Sequence, residues 1–154
     1  MNKLKAGDKA PAINATDQDG NKITLDSLRG RKVVLYFYPK DDTPGCTAEA
    51  CSIRDNYRQL LDQNYSVIGV SPDNQKSHQK FAEKHELPFP LLVDTDKKVI
   101  MDYGVWGPKK FMGKSYEGVL RTTFLIDTDG NIKHVYENVR PAEHSAELLK
   151  ELLG

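Results

Sequence analysis

The chain has 154 residues, 22 basic and 22 acidic side chains, and therefore no formal net charge with its histidines neutral. That length suits one domain, taken as residues 1–154, which buries roughly two-thirds of its unfolded surface without a staple. The balanced charge excludes an electrostatic footprint for nucleic acid or an anionic membrane; no apolar stretch approaches the ~20 residues of a membrane span, and segment 1–8 lacks the apolar core of a signal peptide. The expected compartment is the cytoplasm, where two cysteines are redox-active, metal-binding or buried rather than a structural disulfide.

In chain order, residues 14–25 read as a short hairpin whose turn runs from Asp17 to Asn21, with Gly20 supplying the positive-φ position. Residues 33–38, Val-Val-Leu-Tyr-Phe-Tyr, are β-branched and aromatic with no polar alternation, which predicts a strand buried on both faces and ended by Pro39. After Lys40-Asp41-Asp42, Thr43 is placed to cap a helix and Pro44 to occupy its first position, where a missing N–H costs nothing. Ile53, Tyr57, Leu60 and Leu61 fall on one helical stripe, so this helix is expected to run to about Gln63. Residues 65–71 are a second buried strand, and Pro72-Asp73 opens a helix reaching about His85. Strand, helix, strand makes a right-handed βαβ unit with parallel strands.

Residues 88–94 are extended, and residues 97–103 form a short helix stopped by Gly104. The Lys109–Lys114 segment reads as a solvated loop. Residues 123–126 and 132–136 are strands joined by Asp127-Thr128-Asp129-Gly130-Asn131. The two Asp-x-Asp-Gly pieces read as turns, since a calcium loop needs its glycine at position six and a glutamate at position twelve. Pro141 begins a final helix with Leu148, Leu149, Leu152 and Leu153 on its apolar face. A parallel βαβ followed by an antiparallel pair and a closing helix is the thioredoxin-like arrangement: an α/β fold with a central mixed sheet flanked by helices and an N-terminal β-hairpin. Its strand-to-helix switch is where such sheets bind substrates.

Cys46 falls in the first turn of the helix after that switch. The free N–H groups and partial positive charge there favour thiolate over the thiol's usual state. Glu49, one turn on, opposes this unless a cation neutralises it, and Arg54 and Arg121 are the candidates. On an ideal helix Cys46 and Cys51 have Cα atoms roughly 8.7 Å apart, rotated by about 140°. A disulfide wants roughly 4.4 to 6.8 Å, so bonding them requires the first helical turns to come apart. The blander reading makes both cysteines small core residues, which suits Cys51 beside Ala50 and Ile53 better than Cys46. No metal half-site exists, because the cysteine spacing is not C-x-x-C and His78, His85, His134 and His144 show no paired ligand spacing. Each histidine reads as a surface or helix-side residue.

The segment Pro39-Lys40-Asp41-Asp42-Thr43-Pro44-Gly45-Cys46 resembles the peroxiredoxin motif Pro-x-x-x-Thr-x-x-Cys. With Glu49, Ala50, Cys51, Arg54 and Asp55 it resembles the bacterioferritin comigratory protein, or peroxiredoxin Q, subfamily, and Gly118 to Asp127 resembles that subfamily's segment carrying the active-site arginine. The resemblance implies a thiol peroxidase acting on hydrogen peroxide and organic hydroperoxides, with Cys46 the peroxidatic and Cys51 the resolving cysteine joined in an intramolecular disulfide. It further implies Thr43 and Arg121 as hydrogen-bond donors to the peroxide, Pro39 as a shield and Glu49 as the holder of Arg121. Thioredoxin or a similar dithiol regenerates the thiols, no cofactor or metal is needed, and the protein is a monomer. The competing readings are a disulfide reductase, which lacks the expected C-x-x-C; a cysteine hydrolase, which needs a histidine at the nucleophile; and a binding domain with an inert thiol. Trp106, Phe111 and Met112 read as loop packing before pocket lining.

Overall fold

The computed structural model describes residues 3–137 and 150–152. Within residues 3–137, nine strands and four α-helices follow in order: β1 (Asn14–Thr16), β2 (Lys22–Thr24), β3 (Lys32–Phe37), α1 (Pro44–Asp55), α2 (Tyr57–Asp62), β4 (Tyr65–Ser71), α3 (Gln75–His85), β5 (Leu91–Val93), α4 (Lys98–Asp102), β6 (Trp106–Phe111), β7 (Lys114–Val119), β8 (Thr122–Ile126) and β9 (Ile132–Tyr136). A single 3-10 turn, Asp26–Leu28, follows β2. Most of the expected final helix lies outside the described residues.

Seven strands form one mixed sheet in the order β2-β1-β5-β4-β3-β8-β9. β3, β4 and β5 are parallel, as the βαβ reading requires, and β8 adds antiparallel to β3. The N-terminal hairpin joins this sheet through β1 and β5. β3 is buried on both faces because its side chains alternate between two cores. Val33, Leu35 and Phe37 enter a cluster with Ile68, Tyr103, Phe124 and Ile126. Val34, Tyr36 and Tyr38 enter another with Cys46, Ala50, Ile53, Leu60 and Phe81, under α1, α2 and α3.

Three expectations change. The helix after Cys46 breaks at Asn56, whose side-chain Nδ2 donates to Ser52 O at 2.9 Å and competes with the helical ladder. The break shifts the register, so Leu60 is buried and Leu61 is 40% exposed. The third helix starts at Gln75 rather than Pro72: Asn74 is its N-cap, accepting from Ser77 N at 2.9 Å, which frees Asp73 for another contact. The Lys109–Lys114 segment is not a loop but the tip of the β6–β7 hairpin, with Met112 and Gly113 both at positive φ in a two-residue turn. A Met-Gly turn between strands with exposed lysines has the usual glycine but an unusual residue before it, and its strands lack hydrophobic alternation, so the sequence hides it.

Candidate active site

Cys46 is delivered by the connection from β3 to α1. Pro44 sits at the first helical position and Thr43 at the N-cap in extended conformation (φ −91°, ψ 154°), while the Thr43 carbonyl accepts from Thr47 N at 2.8 Å. The Thr43 hydroxyl does not cap the helix. It donates to Lys40 O at 2.9 Å and tightens the turn instead. Cys46 is 1% exposed; Cys51 is half-buried on the same unbroken helix, and both are free thiols. The structure is therefore the reduced form, with the two sulfurs held on a continuous helix.

Arg121 arrives from 75 residues away in sequence. β8 pairs antiparallel with β3 so that Thr122 faces Phe37, which puts the residue before β8 at the end of β3 where the cysteine loop begins. The β6–β7 hairpin closes immediately before it: Leu120 N donates to Val105 O at 2.7 Å, and Thr122 Oγ1 donates to Leu120 O at 2.9 Å. Arg121 Nη2 then lies 3.0 Å from Cys46 Sγ, and its Nη1 is 3.4 Å from Glu49 Oε1. The second guanidinium candidate is engaged elsewhere, since Arg54 binds the Asp55 carboxylate and donates to His85 O at 2.7 Å. Pro39 is half-buried at the start of the loop.

Glu49 is almost wholly buried, and burial pushes its carboxyl up to about 7, against the pull of Arg121. The carboxylate that anchors the guanidinium is thus itself an expensive group to keep charged. Lys109 adds a second cation. Its Nζ donates to Val119 O at 2.9 Å, and partial burial, then the charge of Arg121, pull its ammonium below the ordinary lysine range while Cys46 acts in the opposite sense. Reading the segment as a solvated loop missed Lys109, since only the hairpin turns it inward.

The histidine reading also needs correction. His78 is fully buried: its Nδ1 is 2.7 Å from Asp41 Oδ2 and its Nε2 is 2.8 Å from Leu92 O. His85 faces Asp42 at 3.1 Å, His134 is exposed, and His144 lies outside the described residues. None of the described histidines is a hydrogen-bond partner of either cysteine. Trp106 packs against the core with its Nε1 donating to Glu117, and Met112 is 87% exposed; of Phe111 only the backbone, at the end of β6, is described. Among the described residues no group of three or more His, Cys, Asp or Glu side chains is arranged to hold a metal ion.

A thiol at a helix start, held by a guanidinium on a thioredoxin-like sheet, defines a class of thiol-dependent oxidoreductases. The AhpC/TSA family pattern matches residues 6–135. The chain is 48% identical to peroxiredoxin Bcp of Escherichia coli over 144 residues, covering 94% of this chain and 92% of that one. It is 45% identical to peroxiredoxin Bcp of Bacillus subtilis over 149 residues, covering 97% and 95%. Among solved structures, Xanthomonas campestris peroxiredoxin Q superposes with TM-score 0.88 at 32% identity, covering 97% and 98%. A structure of the bacterioferritin comigratory protein of the same organism, described for alkyl peroxide reduction, superposes with TM-score 0.85 at 32% identity, covering 91% and 89%. The chain belongs to the AhpC/TSA family, in its Bcp/peroxiredoxin Q branch, and is a peroxiredoxin, a peroxidase.

Proposed function

We propose that this peroxidase works through Cys46 as the nucleophile toward hydrogen peroxide and organic hydroperoxides, with Cys51 as the resolving thiol and thioredoxin as the reductant. The observation that carries the reading is the 3.0 Å contact between Arg121 Nη2 and Cys46 Sγ, with Glu49 on the other arm of the guanidinium. That contact sets a guanidinium directly against the attacking sulfur. The Cys46 thiolate attacks one peroxide oxygen, the O–O bond breaks, and the other oxygen leaves as alkoxide or hydroxide, which takes up a proton. Negative charge moves from sulfur toward those oxygens, where Arg121 and first-turn N–H groups stabilise it as it develops; the Thr43 hydroxyl joins them only by turning its one hydrogen away from Lys40 O. Pro39 keeps water off the resulting sulfenic acid.

Cys46 sulfenic acid then condenses with the Cys51 thiol, forming the S–S bond and releasing water, which forestalls further oxidation to sulfinic acid. Because both cysteines sit on one continuous helix, this step requires the first turns of α1 to unwind. A dithiol reductant returns both thiols. Among the described residues no helix is long and apolar enough to cross a membrane, and free thiols of this kind suit a reducing cytoplasm.

The test is hydroperoxide-dependent NADPH oxidation through thioredoxin and its reductase. Cys46→Ser is expected to lose all turnover, and Cys51→Ser to consume about one peroxide per chain and then stall. Wild-type turnover in Cys46→Ser overturns the nucleophile. Turnover with another dithiol but not with thioredoxin overturns only the reductant.

A further inference from the structure

Asp41, five residues before Cys46, is the hub of a buried polar network that the peroxide chemistry does not use. Its Oδ1 accepts from the Tyr38 hydroxyl at 2.6 Å, its Oδ2 accepts from Ser77 Oγ at 2.7 Å and faces His78 Nδ1 at 2.7 Å, and its main-chain N donates to Asp73 Oδ2 at 2.7 Å. His78 is fully buried and ties this hub to the sheet through Leu92 O on β5. A carbonyl only accepts, so Nε2 carries a hydrogen; a second proton must lie between Nδ1 and Oδ2, because two bare acceptors would repel at that distance. The next residue, Asp42, sits at φ +57° and is held from the same helix by Lys84 Nζ at 2.9 Å and His85 Nε2 at 3.1 Å. Both aspartates of the loop are thus fastened to α3. None of the partners of Asp41 makes a hydrogen bond to Cys46, Cys51 or Arg121.

We propose that His78, acting through Asp41, is a positioning residue for the peroxidase cycle: it holds the 39–43 loop where α1 can start, and so sets how readily the first turns open for Cys51 to reach Cys46. This rests on the Cys46–Cys51 pairing proposed above. A contact made in the helical, reduced form and given up in the unwound, disulfide form shifts the equilibrium between them by its whole contribution to the first. Loosening the latch therefore favours the disulfide. It also favours Cys46–SOH + HS–Cys51 → disulfide + water over the competing Cys46–SOH + ROOH → Cys46–SO₂H + ROH.

The experiment equilibrates the full chain with dithiothreitol redox buffers, quantifies the disulfide by alkylation and mass spectrometry, and measures sulfinic acid after excess hydrogen peroxide. His78→Leu is expected to shift the equilibrium at least tenfold toward the disulfide, a potential about 30 mV more negative per tenfold, and to form less sulfinic acid. His78→Asn, whose amide can stand where Nδ1 stood, is expected to recover most of the shift. Ser77→Ala, half-buried and less disruptive, is expected to move it the same way by a smaller factor and serves if the histidine variants do not fold. A merely structural histidine would lower the denaturation stability of both redox forms alike and leave the potential unmoved. An equilibrium constant within twofold of wild type in both His78→Leu and Ser77→Ala, or an Asn variant as shifted as the Leu variant, overturns the proposal. Failure of wild type to form a Cys46–Cys51 disulfide instead overturns the resolving role of Cys51.

Discussion

The two faces of β3 have the same strand behind them and opposite contents. Toward α4, Val33, Leu35 and Phe37 meet Tyr103, Val99, Ile100, Phe124 and Ile126, and the buried Asp94 beside them is taken up by the main-chain N–H groups of Val99 and Ile100. Its aromatic rings pack at tilted and edge-to-face angles, as in Phe37 against Phe124 at 5.8 Å between centroids. Toward α1 and α3, Val34, Tyr36 and Tyr38 share their space with Cys46 and lie among the buried Glu49, Asp41 and His78. One face is mostly apolar, and the other sets a thiol among buried polar groups. The polar groups on the second cost stability wherever they are charged or unpartnered, and the apolar face offsets that cost.

That contrast can be broken from either side. Phe124→Ala, on the mostly apolar face, is expected to lower unfolding stability by about 3–5 kcal/mol in denaturant titration. The peroxide step of the molecules that remain folded should hardly change. Arg121→Ala should do the reverse, slowing Cys46 oxidation in single-turnover stopped flow by about 10²–10³, or ~2.7–4 kcal/mol, with a small change in denaturation midpoint. Arg54→Ala, whose guanidinium binds Asp55 and the His85 carbonyl, should leave that rate within a few-fold. The reverse ranking of the two arginines would reassign the guanidinium.

Glu49 gives the contrast a pH axis. Its folded carboxyl titrates at about 7 against an ordinary 4.5, so within that window the folded chain keeps a proton that the unfolded chain has released. Stability attributable to Glu49 is therefore present below about 4.5 and is lost as pH rises through 7, by about 3 kcal/mol in all. The stability of Glu49→Gln minus that of wild type is expected to grow by about that amount between acidic and mildly alkaline pH. A flat difference would mean that the pull of Arg121 cancels the effect of burial and leaves Glu49 at its ordinary value. The smallest effect belongs to Tyr36, whose buried hydroxyl has no hydrogen-bond partner among the described residues. Tyr36→Phe should be neutral or stabilising by about 1 kcal/mol. By contrast, Gly69→Ala should destabilise, because a Cβ there would lie 2.9 Å from the Tyr36 ring and from Leu91.

Much of the frame was legible because its signals are local. The six-residue run at 33–38, the Asp-Gly turns at 17–21 and 127–131 and the Pro44 helix start all rest on neighbours in the chain, and the structure has them where expected. The misreadings share a cause. Leu61 turned outward because Asn56 broke the helix that was meant to carry the stripe. His78 looked like a helix-side residue because its carboxylate partner is 37 residues away, on the cysteine loop. The β6–β7 hairpin went unread because its strands are held by pairing with each other and carry exposed lysines.

The amino-acid order by itself determined that Cys46 begins a helix after a doubly buried strand, and that Cys51, five residues on, cannot bond to it while that helix is intact. Both follow from backbone geometry within a dozen residues. Only the tertiary structure decided which cation meets the sulfur, since the antiparallel register of β8 on β3 brings Arg121 to Cys46 while Arg54 on the same helix points to His85. It alone also decided that the aspartates of the cysteine loop are fastened to α3. Such contacts depend on which segments the sheet brings side by side, and that is a property of the whole packed chain rather than of any stretch within it.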